Sequence, residues 1–250
     1  MRMCVCLIAA VLVAFSCRPA FAQPDASSRW MNITTVTVIP ERRHEFERNL
    51  KRLVAAHRKA GTPWLRTWQA AAGNTMEYTV VVPVARFGDL DGPSPAARAL
   101  GDSAWERLHD DLARCALGET REYATPRPEL NIDNTDAPIR SYWIETVTDV
   151  TAGKMIDYLA WLQNDYRPAL EKAGVTHFYV SQPIFGSVAN RIVTTRMIEN
   201  FAEIDAGPIL ARALSDEAVR VVNDKAASLI RASMTKILQL RQDLSFQPAR

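Results

Sequence analysis

Trp64, Arg66 and Trp68 alternate with Leu65, Thr67 and Gln69. That spacing puts the first three on one face of a strand. A later run places His177, Tyr179 and Ser181 against Phe178, Val180 and Gln182 in the same way. Apolar aromatic walls with a few polar handles suit a small-molecule pocket. If both faces look into one interior, Trp64, Arg66, Trp68, His177 and Tyr179 line it together. Plain packing accounts for the same residues. Trp and Tyr are ordinary large core side chains, and Glu77 on the adjacent strand is a cross-strand partner for Arg66. Both readings stay open.

His177 has the chemistry for acid–base work or ligation of an iron, because imidazole titrates near neutrality and coordinates metals. It stands alone, with no His, Cys or carboxylate at metal-ligand spacing, so no metal site is expected. His57 falls on an apolar helical stripe and reads as a hydrogen-bonded core or edge residue, while His44 and His109 fall among charges and read as solvated. His109, Asp110 and Asp111 do not converge, since adjacent helical residues point about 100° apart. Glu145 lies beside Trp143 on a strand face that should be buried, where a carboxylate needs a partner or a raised pKa. Cys115 reads as packing, with no group placed to activate it. Phosphate loops, dinucleotide fingerprints, nucleophile elbows and zincin motifs are all missing from the sequence. No catalytic residue and no cofactor is assigned.

The elements that must hold these residues follow from periodicity. Residues 31–39 alternate and are β-branched, hence a strand. Pro40 suits a first helical turn. Phe46, Leu50, Leu53, Val54 and His57 continue at helical spacing up to Gly61, a C-cap glycine. Residues 63–72 and 75–86 make two strands around Gly73-Asn74, and Ser103-x-x-Glu106 is a capping box for a helix expected to run to just before Pro126. Strands are expected over 142–150, 176–185 and 190–197, with helices over 154–172 and from 216 to about 240.

The two sets are the same motif twice. Trp30 recurs as Trp143, Lys59-Ala60-Gly61 as Lys172-Ala173-Gly174, and Gln69 as Gln182, each 113 positions on. After a one-residue slip placed in the Gly186–Asn190 turn, the offset is 114. Phe87-x-Asp89-Leu90-Asp91 then matches Phe201-x-Glu203-Ile204-Asp205, and Arg127-x-Glu129-Leu130 matches Arg241-x-Asp243-Leu244. On the 113 offset Glu145 corresponds to Asn32. The domains are therefore 23–130 and 142–250, joined by a polar linker over 131–141.

Each copy reads β-α-β-β-α, a ferredoxin-like unit lacking or modifying its last strand. The fold class is α+β, with the two tandem units packing their bare sheet faces together as an intramolecular pseudo-dimeric barrel. The order, with the Trp…Lys-Ala-Gly…Phe-x-Glu/Asp-Leu/Ile-Asp pattern, resembles the dimeric α+β barrel superfamily. That group includes antibiotic-biosynthesis monooxygenase-like, stress-responsive barrel and NIPSNAP-like proteins. The resemblance implies a ligand cavity between the facing sheets or between sheet and helices. Superfamily monooxygenases use an Asn and a Trp there. Asn32 with Trp64 or Trp68 resembles that pair, without a residue-by-residue match that assigns a role.

Residues 1–22 read as a secretory signal: Arg2, an apolar run from Cys4 to Phe15, and Ala20-Phe21-Ala22 as the cleavage site. The run is shorter than the roughly 20 residues of a membrane span. Lipid attachment at Cys17 fits less well, since the expected Leu before it is missing. The protein is thus expected to be secreted or periplasmic, with no membrane contact after cleavage. Without Arg2 and Arg18 the chain keeps 28 basic groups against 28 acidic ones, which excludes the basic excess of a nucleic-acid binder. Cys115 is then the one cysteine left, so no internal disulfide forms. Three functions compete: a small-molecule-binding barrel, which ranks first; a cofactor-independent monooxygenase or haem-type enzyme; and a filled structural or interaction module. A homo-oligomer is compatible with each.

Overall fold

The computed structural model describes residues 29–247, so the expected leader and Cys17 lie outside the described residues. The first half runs β1 (Trp30–Val38), α1 (Arg43–Lys59), β2 (Arg66–Ala72), β3 (Glu77–Val84), α2 (Pro95–Leu100), α3 (Asp102–Ala113) and β4 (Ala116–Pro126). A two-residue strand β5 (Ile132–Asp133) leads to β6 (Tyr142–Val150). There follow α4 (Met155–Trp161), a π turn (Leu162–Tyr166), α5 (Arg167–Lys172), β7 (His177–Phe185), β8 (Arg191–Ile198), α6 (Ala202–Asp205), α7 (Asp216–Ala227) and β9 (Ile230–Leu240).

Two expected helices are too long. Residues 116–126 and 230–240 are strands, which supplies the element the sequence reading left out. Every other residue of β4 faces the same side, and β1 and β7 pair with its two edges, so a ladder replaces the helical bonds. The capping box also fails. α3 starts at Asp102 with Gly101 as N-cap and no side-chain cap bond. The linker is anchored: Ile132 is buried, and Asn131 Oδ1 accepts a bond from the Val180 N–H at 2.9 Å.

Eight antiparallel strands close into a barrel in the order β4-β1-β3-β2-β9-β6-β8-β7, with β7 returning to β4. Closure is by hydrogen-bonded edges, β2 to β9 and β4 to β7, so no sheet edge is left open there. Alternation divides the side chains. Outside, Val36, Val38, Tyr78 and Val80 pack under α1, and Val150, Phe178, Val180 and Ile192 pack under the helices of the second half. Inside, Trp143, Met197 and Leu238 pack with Trp68 and Tyr179.

Matching clamps sit at the two seams. Arg241 donates to Gln69 Oε1 at 2.9 Å and to Asp243 at 2.9 Å. Arg127 donates to Gln182 Oε1 at 2.9 Å and to Glu129 at 2.6 Å. Arg241 also reaches Glu47 on α1 at 2.7 Å, and the Tyr78 hydroxyl donates to the same carboxylate at 2.6 Å. The Arg241 guanidinium, aided by Tyr78 and Arg43 and opposed by burial, holds the Glu47 carboxyl down at about 2.

Two tests follow from this architecture. A carboxylate with a depressed folded pKa stabilises above its unfolded pKa and loses that stabilisation as pH falls through the folded one. The stability gap between the parent and Arg241→Met, read by urea unfolding, should therefore shrink by about 2–3 kcal/mol between pH 5 and pH 2. Gly186 has φ +78°, and a Cβ there would lie 2.1 Å from the Arg121 carbonyl oxygen at the β4–β7 seam, whereas Gly73, at φ +95°, meets nothing. Gly186→Ala should cost about 2–4 kcal/mol and Gly73→Ala about 1 kcal/mol, measured the same way.

Candidate functional site

A cavity of about 1050 Å³ lies outside the barrel, between α1, α3, the 85–95 segment and the outer faces of β1, β3 and β4. Its floor is valine-rich (Val36, Val80, Val82, Val84), and Phe46, Leu50 and Leu112 cover it from the helices. The side-chain alternation of β1 and β3 turns these residues outward, and the stripe at positions 46, 50 and 53 of α1 turns toward them. Trp105 and His109 of α3 stand at the wall with ring centroids 5.9 Å apart.

Asn32, His57 and Thr62 line this space, with Thr34, Ser94 and Tyr123 as further neutral polar residues. Asn32 Oδ1 is buried without a hydrogen-bond partner among the described residues. His57 is 9% exposed, and its Nδ1 lies 3.0 Å from Thr62 Oγ1. Burial pushes the imidazole down to about 4, so it is uncharged at neutral pH. The charged groups Arg98, Asp110 and Arg121 also line the cavity, Arg121 bonded to Glu119 at 2.9 Å.

The matching place in the second half is occupied by larger side chains. Tyr158, Trp161, Leu162, Phe178, Leu210 and Val222 form one buried cluster there. Backbone landmarks give the correspondence. The strand pairings break between Thr37 and Val38, and again between Asp149 and Val150. Counted from those breaks, Asn32 corresponds to Ile144, not to Glu145, and Trp30 corresponds to Tyr142, not to Trp143. Ring contacts agree: Trp30 meets Phe87 at 4.7 Å, and Tyr142 meets Phe201 at 4.8 Å. One extra residue is absorbed by the π turn between α4 and α5, a usual fate of one-residue helix insertions, and a second falls in the turn between β7 and β8. Beyond the π turn the Thr62 N–H bonds to the His57 carbonyl at 3.0 Å, and the Val175 N–H bonds to the Leu170 carbonyl at 3.0 Å. His57 and Thr62 thus stand where the filled half has Leu170 and Val175.

The five residues expected to form a pocket are not among those lining this cavity. Trp68 and Tyr179 are brought together inside the barrel. Trp143 lies between them, 5.5 Å from Trp68 and stacked 5.7 Å from Tyr179. His177 is fully buried, with Nδ1 3.0 Å from Thr176 Oγ1 and Nε2 3.9 Å from Asp133, the carboxylate that accepts the Tyr179 hydroxyl at 2.9 Å. Arg66 lies over Trp64 at 5.6 Å and bonds to Gln247 at 3.3 Å. Its expected partner Glu77 instead takes Lys236 at 2.6 Å. Asn32, singled out beforehand, does line the cavity. His57, Trp105 and His109 were missed as site residues; the signal for His57 was a histidine at an apolar helical position. Among the described residues no group of three or more His, Cys, Asp or Glu could hold a metal ion.

No family model matches the chain, and neither does any curated protein sequence. Solved structures do match. An anthrone oxidase-like protein superposes with a TM-score of 0.63 at 12% identity, covering 89% of this chain and 97% of that one. A monooxygenase-like protein from Lactobacillus acidophilus gives 0.58 at 10% identity, over 87% and 95%. A chlorite dismutase from Candidatus Nitrospira defluvii, in complex with imidazole, gives 0.52 at 14% identity, over 86% and 91%. The chain shares the α+β barrel fold of these structures, which fits the superfamily resemblance read from the sequence. Within that barrel fold, likeness at such identities establishes architecture and leaves the reaction to the site.

Glu145 points inward, with Lys236 at 3.9 Å. Burial pushes its carboxyl up; Lys236 opposes this, while Glu77 and Glu122 add to it. A raised carboxyl pKa favours the folded state at low pH and disfavours it as pH rises above the unfolded value. Glu145→Gln should therefore gain on the parent in urea unfolding as pH is raised from 4 to 8.

Proposed function

We propose that this chain binds one small, largely apolar molecule in the outer cavity of its first half. The observation that carries the reading is the asymmetry at that place: one half keeps an open space with Asn32 Oδ1 buried and unsatisfied, and the other is packed by Tyr158 and Trp161. Buried polar groups are ordinarily bonded. A ligand that brings a donor to Asn32 would settle that account, and the apolar floor would supply affinity. The ligand position moves from the barrel interior to its outside, because Trp143, Met197 and Leu238 pack the interior beside Trp68 and Tyr179.

The architecture behind it is proposed as two fused ferredoxin-like units, a pseudo-dimer in one polypeptide. The equivalent breaks in β1 and β6 and the matched Arg127 and Arg241 clamps support that reading. Export through residues 1–22, with cleavage after Ala22, is proposed from the sequence alone. The mature chain should then begin at Gln23 on N-terminal sequencing.

A cofactor-independent monooxygenase is the second reading, favoured by the anthrone oxidase-like and monooxygenase-like fold neighbours. Oxygen uptake with anthrone would support it over simple binding. A haem-type enzyme has one buried imidazole on the cavity wall to offer an iron, His57, and a Soret band in the purified protein would replace the binding reading with that one. For binding itself, Trp105 at the wall is the reporter. Naphthalene-sized apolar probes should quench tryptophan fluorescence and titrate to one site per chain by calorimetry. Two sites, or none with any probe, would defeat the proposal.

A further inference from the structure

His57 and Thr62 form a polar pair that the fold does not need. At the corresponding positions the filled half has Leu170, fully buried, and Val175, partly buried and packed against its core. Both backbone turns carry the same 3.0 Å bond, so the helix end is equally well made with leucine and valine. Thr and Val are close in shape, so the exchange changes hydrogen bonding more than volume. Burying an imidazole in an apolar wall costs free energy that leucine would not. The pair therefore stands where packing alone would favour an apolar residue, and it stands on the open cavity.

The pair also fixes which nitrogen faces the ligand. Thr62 Oγ1 and His57 Nδ1 are 3.0 Å apart. A hydroxyl has one proton to give, and no other acceptor for it is recorded among the described residues. The economical arrangement is Thr62 O–H donating to Nδ1. Neutral imidazole carries one N–H, so the proton then sits on Nε2. Nε2–H is the group left for a ligand.

We propose that His57, set in this tautomer by Thr62, donates through Nε2 to a carbonyl-type acceptor oxygen of the cavity's ligand and so selects for it. This rests on the outer cavity being the binding site. It adds a requirement that mere apolar binding lacks, an acceptor oxygen.

The test compares 2-acetylnaphthalene with 2-isopropenylnaphthalene, which differ by C=O against C=CH2, on the full chain by calorimetry. Relative to His57→Leu, the parent should favour the ketone by roughly fivefold to tenfold, the worth of about one net hydrogen bond. Binding of the isopropenyl probe should be unchanged or tighter in His57→Leu. His57→Gln, which keeps an N–H donor, should recover part of the preference. Thr62→Val should reduce it while leaving the isopropenyl probe alone, and it carries the test if His57→Leu loses its helical circular dichroism. Equal weakening of both probes in the variants, or no change in the ratio, overturns the inference and leaves the cavity reading standing. Failure of the parent to bind either probe overturns both.

Discussion

The structure depends on two hydrogen-bonded seams. A sheet of four strands has two free edges, and each edge is a row of unpaired backbone groups. Here β2 takes β9 and β4 takes β7, so the edges of one half are the partners of the other. An arginine just past the end of β4 and another just past β9 fasten these seams. The backbone N–H of Arg127 bonds to Val180 O at 2.9 Å, and that of Arg241 bonds to Thr67 O at 2.9 Å, while their guanidinium groups hold Gln182 and Gln69. Arg241 does more, because it also grips Glu47 of α1. One wall of the cavity is thus tied to the last strand of the opposite half.

Around that frame the halves diverge in what they bury. The second packs aromatic rings under its helices, with Trp161 and Tyr166 stacked at 4.9 Å and Tyr158 beside them. The first puts smaller side chains on the same face and keeps Asn32, His57 and Thr62 among them. The space opens to solvent past Leu90, Glu106 and Glu119, and its valine floor is apolar surface that a ligand would cover. The polar trio and the volume point the same way.

The strands that alternate cleanly, β1, β2, β3, β6, β7 and β8, were legible in the sequence to within a few residues. The final strand of each half was not. Ala116–Pro126 and Ile230–Leu240 continue from helices and carry charges on the exposed face, and pairing at both edges decides their conformation. That is tertiary context overriding local propensity. An earlier slip in the repeat went unseen because two tryptophans happen to sit 113 positions apart. In a strand a one-residue error reverses the face, and it sent Trp30 and Trp143 to the same side when one points outward and the other in. The site was less legible than the strands. Periodicity says which residues share a face; it does not say on which face space for a ligand is left.

The π turn at Leu162–Tyr166 has a wider meaning. In an assembly of two identical chains, every insertion or substitution appears twice, on both sides of the symmetry axis. A change that fills one pocket fills its twin. A single chain that closes the barrel with two unlike halves is free of that restriction. One half can gain a residue and thicken into ballast while the other hollows, and the barrel that both complete keeps its shape.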